Sequence, residues 1–89
     1  MYHFYQDNGH GWLKVKKSEL RELGIIDKIS LYSYQSESGI WAYLEEDCDF
    51  LKFINAKGWK PKWDEFEKYL VCHRSKYSRI RSYPKYIPC

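Results

Sequence analysis

Eighty-nine residues carrying a formal net charge of +3 make one small domain, because so short a chain cannot support two separate cores and so weak a charge does not by itself announce a nucleic-acid binder. Aromatic side chains make up 19% of the residues, more than a minimal core needs, which leaves rings for the surface. No apolar run approaches a membrane span, Met1-Tyr2-His3-Phe4 lacks the regions of a signal peptide, and Cys48, Cys72 and Cys89 are too widely spaced for a disulfide framework or a close-set zinc site. A soluble cytoplasmic protein with reduced thiols is expected, monomer or homodimer, with Cys89 able to link copies during purification.

His3-Phe4-Tyr5 and Trp12-Leu13-Lys14-Val15 predict two short strands around the turn Gln6–Gly11, where Asn8-Gly9 is expected to supply positive backbone angles. Ser18 is the expected cap of a short helix near 18–23, with Leu20 and Leu23 on one face and Gly24 ending it. Lys28–Gln35 and Ile40–Leu44 alternate on either side of Ser36-Glu37-Ser38-Gly39, which predicts an antiparallel hairpin. The acidic run Glu45-Glu46-Asp47-Cys48-Asp49 then sits where a strand hands over to a helix. Orphan N–H groups and the positive end of the helix dipole favour carboxylates there, so Asp47 is assigned as the cap and Asp49 to the first turn.

A main helix at about 48–57 places Phe50, Leu51 and Ile54 against the sheet, and Gly58 stops it. Beyond it, Tyr69-Leu70-Val71-Cys72 predicts a strand near 66–73, since β-branched and aromatic side chains suit a pleated surface. Pro84 and Pro88 hold the last residues extended. The fold class is α+β: a small antiparallel sheet of four to five strands, one main helix packed on it and a short helix near 18–23. The chain is one domain, 1–89, with an extended basic aromatic C-terminal segment 74–89.

Catalytic signatures are missing: there is no Ser/His/Asp order, P-loop, dinucleotide fingerprint or nucleophile elbow. No catalytic residue, cofactor or metal is assigned, and the chain is not read as an enzyme. His10, between two glycines and just before Trp12, would join Glu45, Glu46, Asp47, Asp49, His3 or His73 in a metal or acid–base site only if separate elements converged. No His/Glu spacing announces that, and a loop histidine satisfying local backbone groups is the simpler reading. From Cys72 onward Arg74, Lys76, Arg79, Arg81 and Lys85 face no acid. In an extended chain Arg79 and Arg81 share a face with Tyr77 and Tyr83. Such a face grips phosphates and bases, or serves a protein interface, where Tyr and Arg are enriched. Alternatively the tail packs back on the sheet and pairs with Glu45, Glu46 and Asp47.

Several stretches together carry a resemblance: Asp7-Asn8-Gly9-His10-Gly11-Trp12-Leu13-Lys14-Val15, the Ser18–Ile25 helix, Asp27–Tyr34, Ala42-Tyr43-Leu44-Glu45-Glu46-Asp47-Cys48-Asp49 and Ser78-Arg79-Ile80-Arg81-Ser82-Tyr83-Pro84. This combination resembles small uncharacterised proteins of bacteriophages and plasmids, departing from them in the Trp- and Lys-rich residues 59–77. The resemblance implies a setting, a mobile element inside a bacterial host cell, and no catalytic residue. Accessory proteins in that setting often bind and disable a host enzyme or defence complex. The expectation is a non-enzymatic phage-type protein that binds and inhibits or redirects a host protein. Its expected contacts are His10, Trp12, Tyr77, Arg79, Arg81, Tyr83, Lys85 and Tyr86. The alternatives are nucleic-acid binding through Lys76, Arg79, Arg81 and Lys85, and a small metal-dependent hydrolase centred on His10 and the acidic joint.

Overall fold

The computed structural model describes residues 1–88. Five strands form a single sheet: β1 (Tyr2–Gln6), β2 (Gly11–Lys16), β3 (Tyr34–Gln35), β4 (Trp41–Glu45) and β5 (Leu70–Arg74), ordered β3-β4-β2-β1-β5. All pairings are antiparallel except that of β1 with β5. The exception follows from connectivity. β4 and β1 both run antiparallel to β2, so a chain that leaves β4, crosses one sheet face and returns at the far edge comes back parallel to β1. The fold is α+β with a mixed, mostly antiparallel sheet, where the local hairpins alone suggested a wholly antiparallel one.

Helices α1 (Lys17–Glu22), α2 (Phe50–Ala56) and α3 (Trp63–Phe66) accompany it, with 3-10 turns at Glu67–Tyr69 and Arg79–Ser82. Strand alternation sends Phe4, Leu13, Val15, Ala42 and Leu44 to one face, where Phe50, Phe53 and Ile54 of α2 cover them. Each of those helix side chains contributes about 1.5–3 kcal/mol by leaving water. Leu51, expected on the sheet, is instead exposed. Gly58 stops α2 as the sequence suggests: its φ is +74°, and Trp59 N–H reaches the Ile54 carbonyl at 3.1 Å. Gly11 is required for a different reason. A Cβ there would sit 2.6 Å from the Phe4 ring, so only glycine lets the start of β2 close over that core residue.

The acidic joint works differently from the capping scheme. Asp47 does not cap α2, and Asp49, which flanks it, makes no side-chain capping bond. The Asp49 carboxylate is fully buried and holds the preceding loop: it accepts from the Ser30 N–H at 3.0 Å, from the Ser30 and Ser33 hydroxyls, and from Lys52 Nζ at 2.9 Å. Ser33 Oγ in turn accepts from the Glu45 N–H at 2.9 Å. Residues 28–33 are therefore a loop clamped by one carboxylate, and the expected strand shrinks to Tyr34–Gln35. Burial alone would raise the Asp49 pKa, but the Ser33, Ser30 and Lys52 hydrogen bonds outweigh it and hold the group below the ordinary carboxylate value.

Three further expectations change. Asn8-Gly9 needs no positive φ, because the Asp7 carboxylate accepts from both Gly9 and His10 N–H groups at 3.0 Å and shapes the turn. α1 begins at Lys17, directly after β2, and Ser18 is not its cap. β5 starts only at Leu70, since Phe66 belongs to α3, packed edge-on against Phe50. Residues 84–86 run beside β3, with Gln35 N–H on the Pro84 carbonyl and Tyr86 N–H on that of Ser33. Cys48 and Cys72 are exposed free thiols, while Cys89 lies outside the described residues. Among the described residues no helix is long and apolar enough to cross a membrane.

Replacing Asp49 with Ala leaves the buried Ser33 hydroxyl and the part-buried Ser30 N–H without their acceptor. Asp49→Ala is expected to lower the unfolding free energy by about 2–4 kcal/mol in urea titrations, while Leu51→Ala changes it by less than about 1 kcal/mol.

Candidate binding face

The strand register that buries Leu13 and Leu44 turns His3, Tyr5, Trp12, Lys14, Trp41, Tyr43, Glu45 and His73 to the opposite face. A chain segment rather than a helix crosses this face. Ser78–Tyr83 forms a strap there: Ile80, 2% exposed, packs with Trp12 and Tyr43, and the Tyr83 ring meets that of Tyr43 at 5.1 Å.

One ion pair pins the strap. Arg81 donates from Nε at 2.6 Å and Nη2 at 2.9 Å to the two oxygens of Asp7, a bidentate pair, and the Ser78 N–H adds a bond at 3.1 Å. The Arg81 guanidinium also lies 5.4 Å from the Trp12 ring centre and 5.3 Å from that of Tyr77. Arg81 holds the Asp7 carboxyl well below the usual carboxylate range, against the opposing effect of burial and with help from the Ser78, Gly9 and His10 N–H groups.

On one side of the strap lies an open groove of about 770 Å³ lined by Tyr5, Lys14, Tyr43, Tyr77, Arg79 and Tyr83 with Ile80, Ser75, Ser78 and Ser82, and by no carboxylate among the described residues. Burial first, then the neighbouring Tyr83 and Tyr5, push the Tyr43 phenol up to about 12, so it stays protonated as a hydrogen-bond donor. The ring surface continues along the sheet: His73 stacks on Tyr5 at 4.7 Å and on His3 at 5.1 Å, and Lys14 Nζ sits 4.4 Å from the centre of the Trp41 ring.

On the other side of Arg81 is a smaller pocket of about 300 Å³, bordered by His10, Trp12, Tyr34, Glu45, Asp47 and Lys85, together with Cys48. Glu45 Oε1 accepts from the Asp47 and Cys48 N–H groups at 2.8 and 3.1 Å, which closes the turn after β4. Its Oε2 faces His10 Nδ1 at 3.2 Å. Burial, then Asp47 and Glu45, push the neighbouring Glu46 carboxyl up. Lys85 donates to the Tyr34 hydroxyl at 3.3 Å and covers its ring.

The residues singled out in the sequence are thus divided. Tyr77, Arg79 and Tyr83 wall the groove, while His10, Trp12, Arg81 and Lys85 border the pocket. Tyr86 is a core residue, its hydroxyl bonded to the Ile26 carbonyl, and offers no ring to a partner. Because 79–82 is a 3-10 turn, Arg79 and Arg81 do not share a face, and the tail's ion pair is with Asp7 instead of the acidic joint. Tyr5, Lys14 and Tyr43 escaped sequence reasoning, although the alternation that buries Leu13 and Leu44 already turns Lys14 and Tyr43 to the other side. No protein family, curated protein or solved structure matches this chain, and the face is read from its own chemistry.

Asp7 and Asp49 both carry pKa values below their unfolded-state value of about 3.9, so the stability they add is complete above that pH and is lost as pH falls through their folded values. Thermal melts are expected to show a steep loss below about pH 4. Asp7→Asn should lower the melting temperature at pH 7 and flatten that acid limb. An unchanged limb would remove Asp7 from the account.

Proposed function

We propose that this protein acts by binding and not by catalysis, and that it inhibits or redirects a host protein in the setting of a bacterial mobile element. The groove carries this reading: it is lined by tyrosines, serines, Ile80, Lys14 and Arg79, and by no carboxylate among the described residues. Tyrosine offers a large amphipathic ring with few torsions to freeze, small hydroxyls adapt their hydrogen bonds, and arginine pairs with acids, the combination that dominates protein-binding loops and interface centres. Charge complementarity favours a partner segment bearing aspartate or glutamate. The likeness to small phage and plasmid proteins supports the setting.

A second reading, single-stranded nucleic acid, is favoured by the stacked rings of His3, Tyr5 and His73 beside that carboxylate-free groove. It ranks below the first because Arg81 is committed to Asp7, leaving Lys14 and Arg79 as the cations walling the groove.

Capture from bacterial extract with wild-type protein, Tyr83→Ala, Arg79→Glu and the distant control Lys60→Glu separates the readings. A specific host protein should be held by wild type and the control, and purified partner should bind Arg79→Glu at least about tenfold more weakly. Finding no protein that distinguishes groove variants from wild type sinks the first reading. Oligonucleotide binding that collapses with salt would establish the second.

A further inference from the structure

We propose that His10, Glu45 and Asp47 form a binding site for a divalent first-row transition-metal ion, zinc or manganese in character. The three come from the turn after β1, the last residue of β4 and the turn that follows it, and the fold gathers their donor atoms within 4.8 Å of one another. His10 Nδ1 and Glu45 Oε2 stand 3.2 Å apart. Two ligands each about 2.0–2.1 Å from a tetrahedral ion are roughly 3.3 Å apart, so this pair already spans one edge of a coordination shell. Asp47 is exposed on its turn and has room to swing its carboxylate onto the third position.

Glu45 is built as a ligand. Its side chain is 7% exposed, Oε1 is fixed by two backbone N–H groups, and Oε2 is left facing His10. The charge around it is unbalanced. Among the described residues no lysine or arginine forms an ion pair with Glu45, Glu46 or Asp47; Arg81 is taken by Asp7, and Lys85 lies on Tyr34. A half-exposed imidazole is the sole basic group paired with these acids. Closely grouped carboxylates that no lysine or arginine ion-pairs repel one another, and a bound cation turns that repulsion into attraction even with Arg81 and Lys85 on the pocket's border. Trp12 walls the same pocket, and among the described residues its buried Nε1–H has no acceptor.

One imidazole and two carboxylates form a mixed nitrogen and oxygen set. Zinc and manganese suit it, whereas magnesium and calcium prefer all-oxygen shells. The site is independent of the groove, and either can fail without the other.

Calorimetric titration of the full chain, thiols kept reduced, with MnCl2, ZnCl2 and MgCl2 at pH 7.5 tests the proposal. Manganese avoids confusion with zinc bound by Cys48 or Cys72, and one equivalent should bind, with zinc tighter and magnesium not measurable. His10→Ala and Asp47→Asn should each weaken manganese binding at least tenfold. Glu45→Gln should do the same while its amide oxygen still accepts from Asp47 and Cys48. His73→Ala, which removes half of the His3 and His73 pair joined at 2.9 Å, should leave binding unchanged. Melting curves without metal establish that each variant folds, and manganese should selectively broaden the NMR signals of His10 and the Trp12 indole. No manganese binding tighter than about 1 mM, binding that survives both His10→Ala and Asp47→Asn, or binding lost only with His73→Ala overturns it.

Discussion

Asp7 joins the two ends of this chain. Its carboxylate shapes the first hairpin turn through Gly9 and His10 and receives the N–H of Ser78, seventy-one residues later in sequence, and the fork of Arg81, seventy-four residues later. The open sheet face depends on that junction. Without it the strap would lose the bidentate Arg81 fork and the Ser78 N–H bond that hold it beside Trp12, and the packing of Ile80 and Tyr83 on Trp12 and Tyr43 would carry it. A carboxylate can do this only where every lone pair is used, because an unpaired buried charge costs more than the fold of a small domain can offset.

The acidic run at the centre of the chain follows the same logic with a different division of labour. Asp49 turns inward and is consumed by Ser30, Ser33 and Lys52, which sets the loop before β3. Glu45 is divided between its oxygens: one closes the turn, and the other faces His10. Glu46 and Asp47 have no basic ion-pair partner among the described residues. Neighbouring acids of identical local character thus end in a structural clamp, a divided role and an unbalanced surface. The helix that follows does not decide which is which, since α2 takes no side-chain cap from any of them.

Legibility in the sequence tracks distance along the chain. The first hairpin, the α2 core residues Phe50 and Ile54, and the stops at Gly24 and Gly58 are written in spacings of a few residues, and they stand in the structure as read. Lys28–Ser33 alternates like a strand yet becomes a loop, because the deciding partner, Asp49, lies well downstream and offers the Ser30 N–H a charged acceptor stronger than a ladder carbonyl. The parallel return of β5 and the docking of the tail on Asp7 are equally nonlocal. For the candidate site, Arg79, Tyr77 and Tyr83 were visible as a basic aromatic stretch, but the approach of His10 to Glu45 was not, since thirty-five residues separate them and no motif spans that gap. Lys14 and Tyr43 were within reach, because period-two alternation identifies the outer face as surely as the inner one.

A net charge of +3 hides an uneven distribution of charge over the outer sheet face. Among the described residues no carboxylate joins Lys14 and Arg79 in the groove, whereas the pocket brings Glu45 and Asp47 together with Lys85 and the Asp7-paired Arg81, neither of which forms an ion pair with those two acids. Mixing would have been the cheaper arrangement electrostatically, since opposite charges allowed to meet relieve one another and then attract nothing else. Because the strap keeps Lys14 and Arg79 away from Glu45 and Asp47, the groove retains a positive field that draws negative groups. That separation follows from where a single arginine is anchored, and neither composition nor total charge could have revealed it.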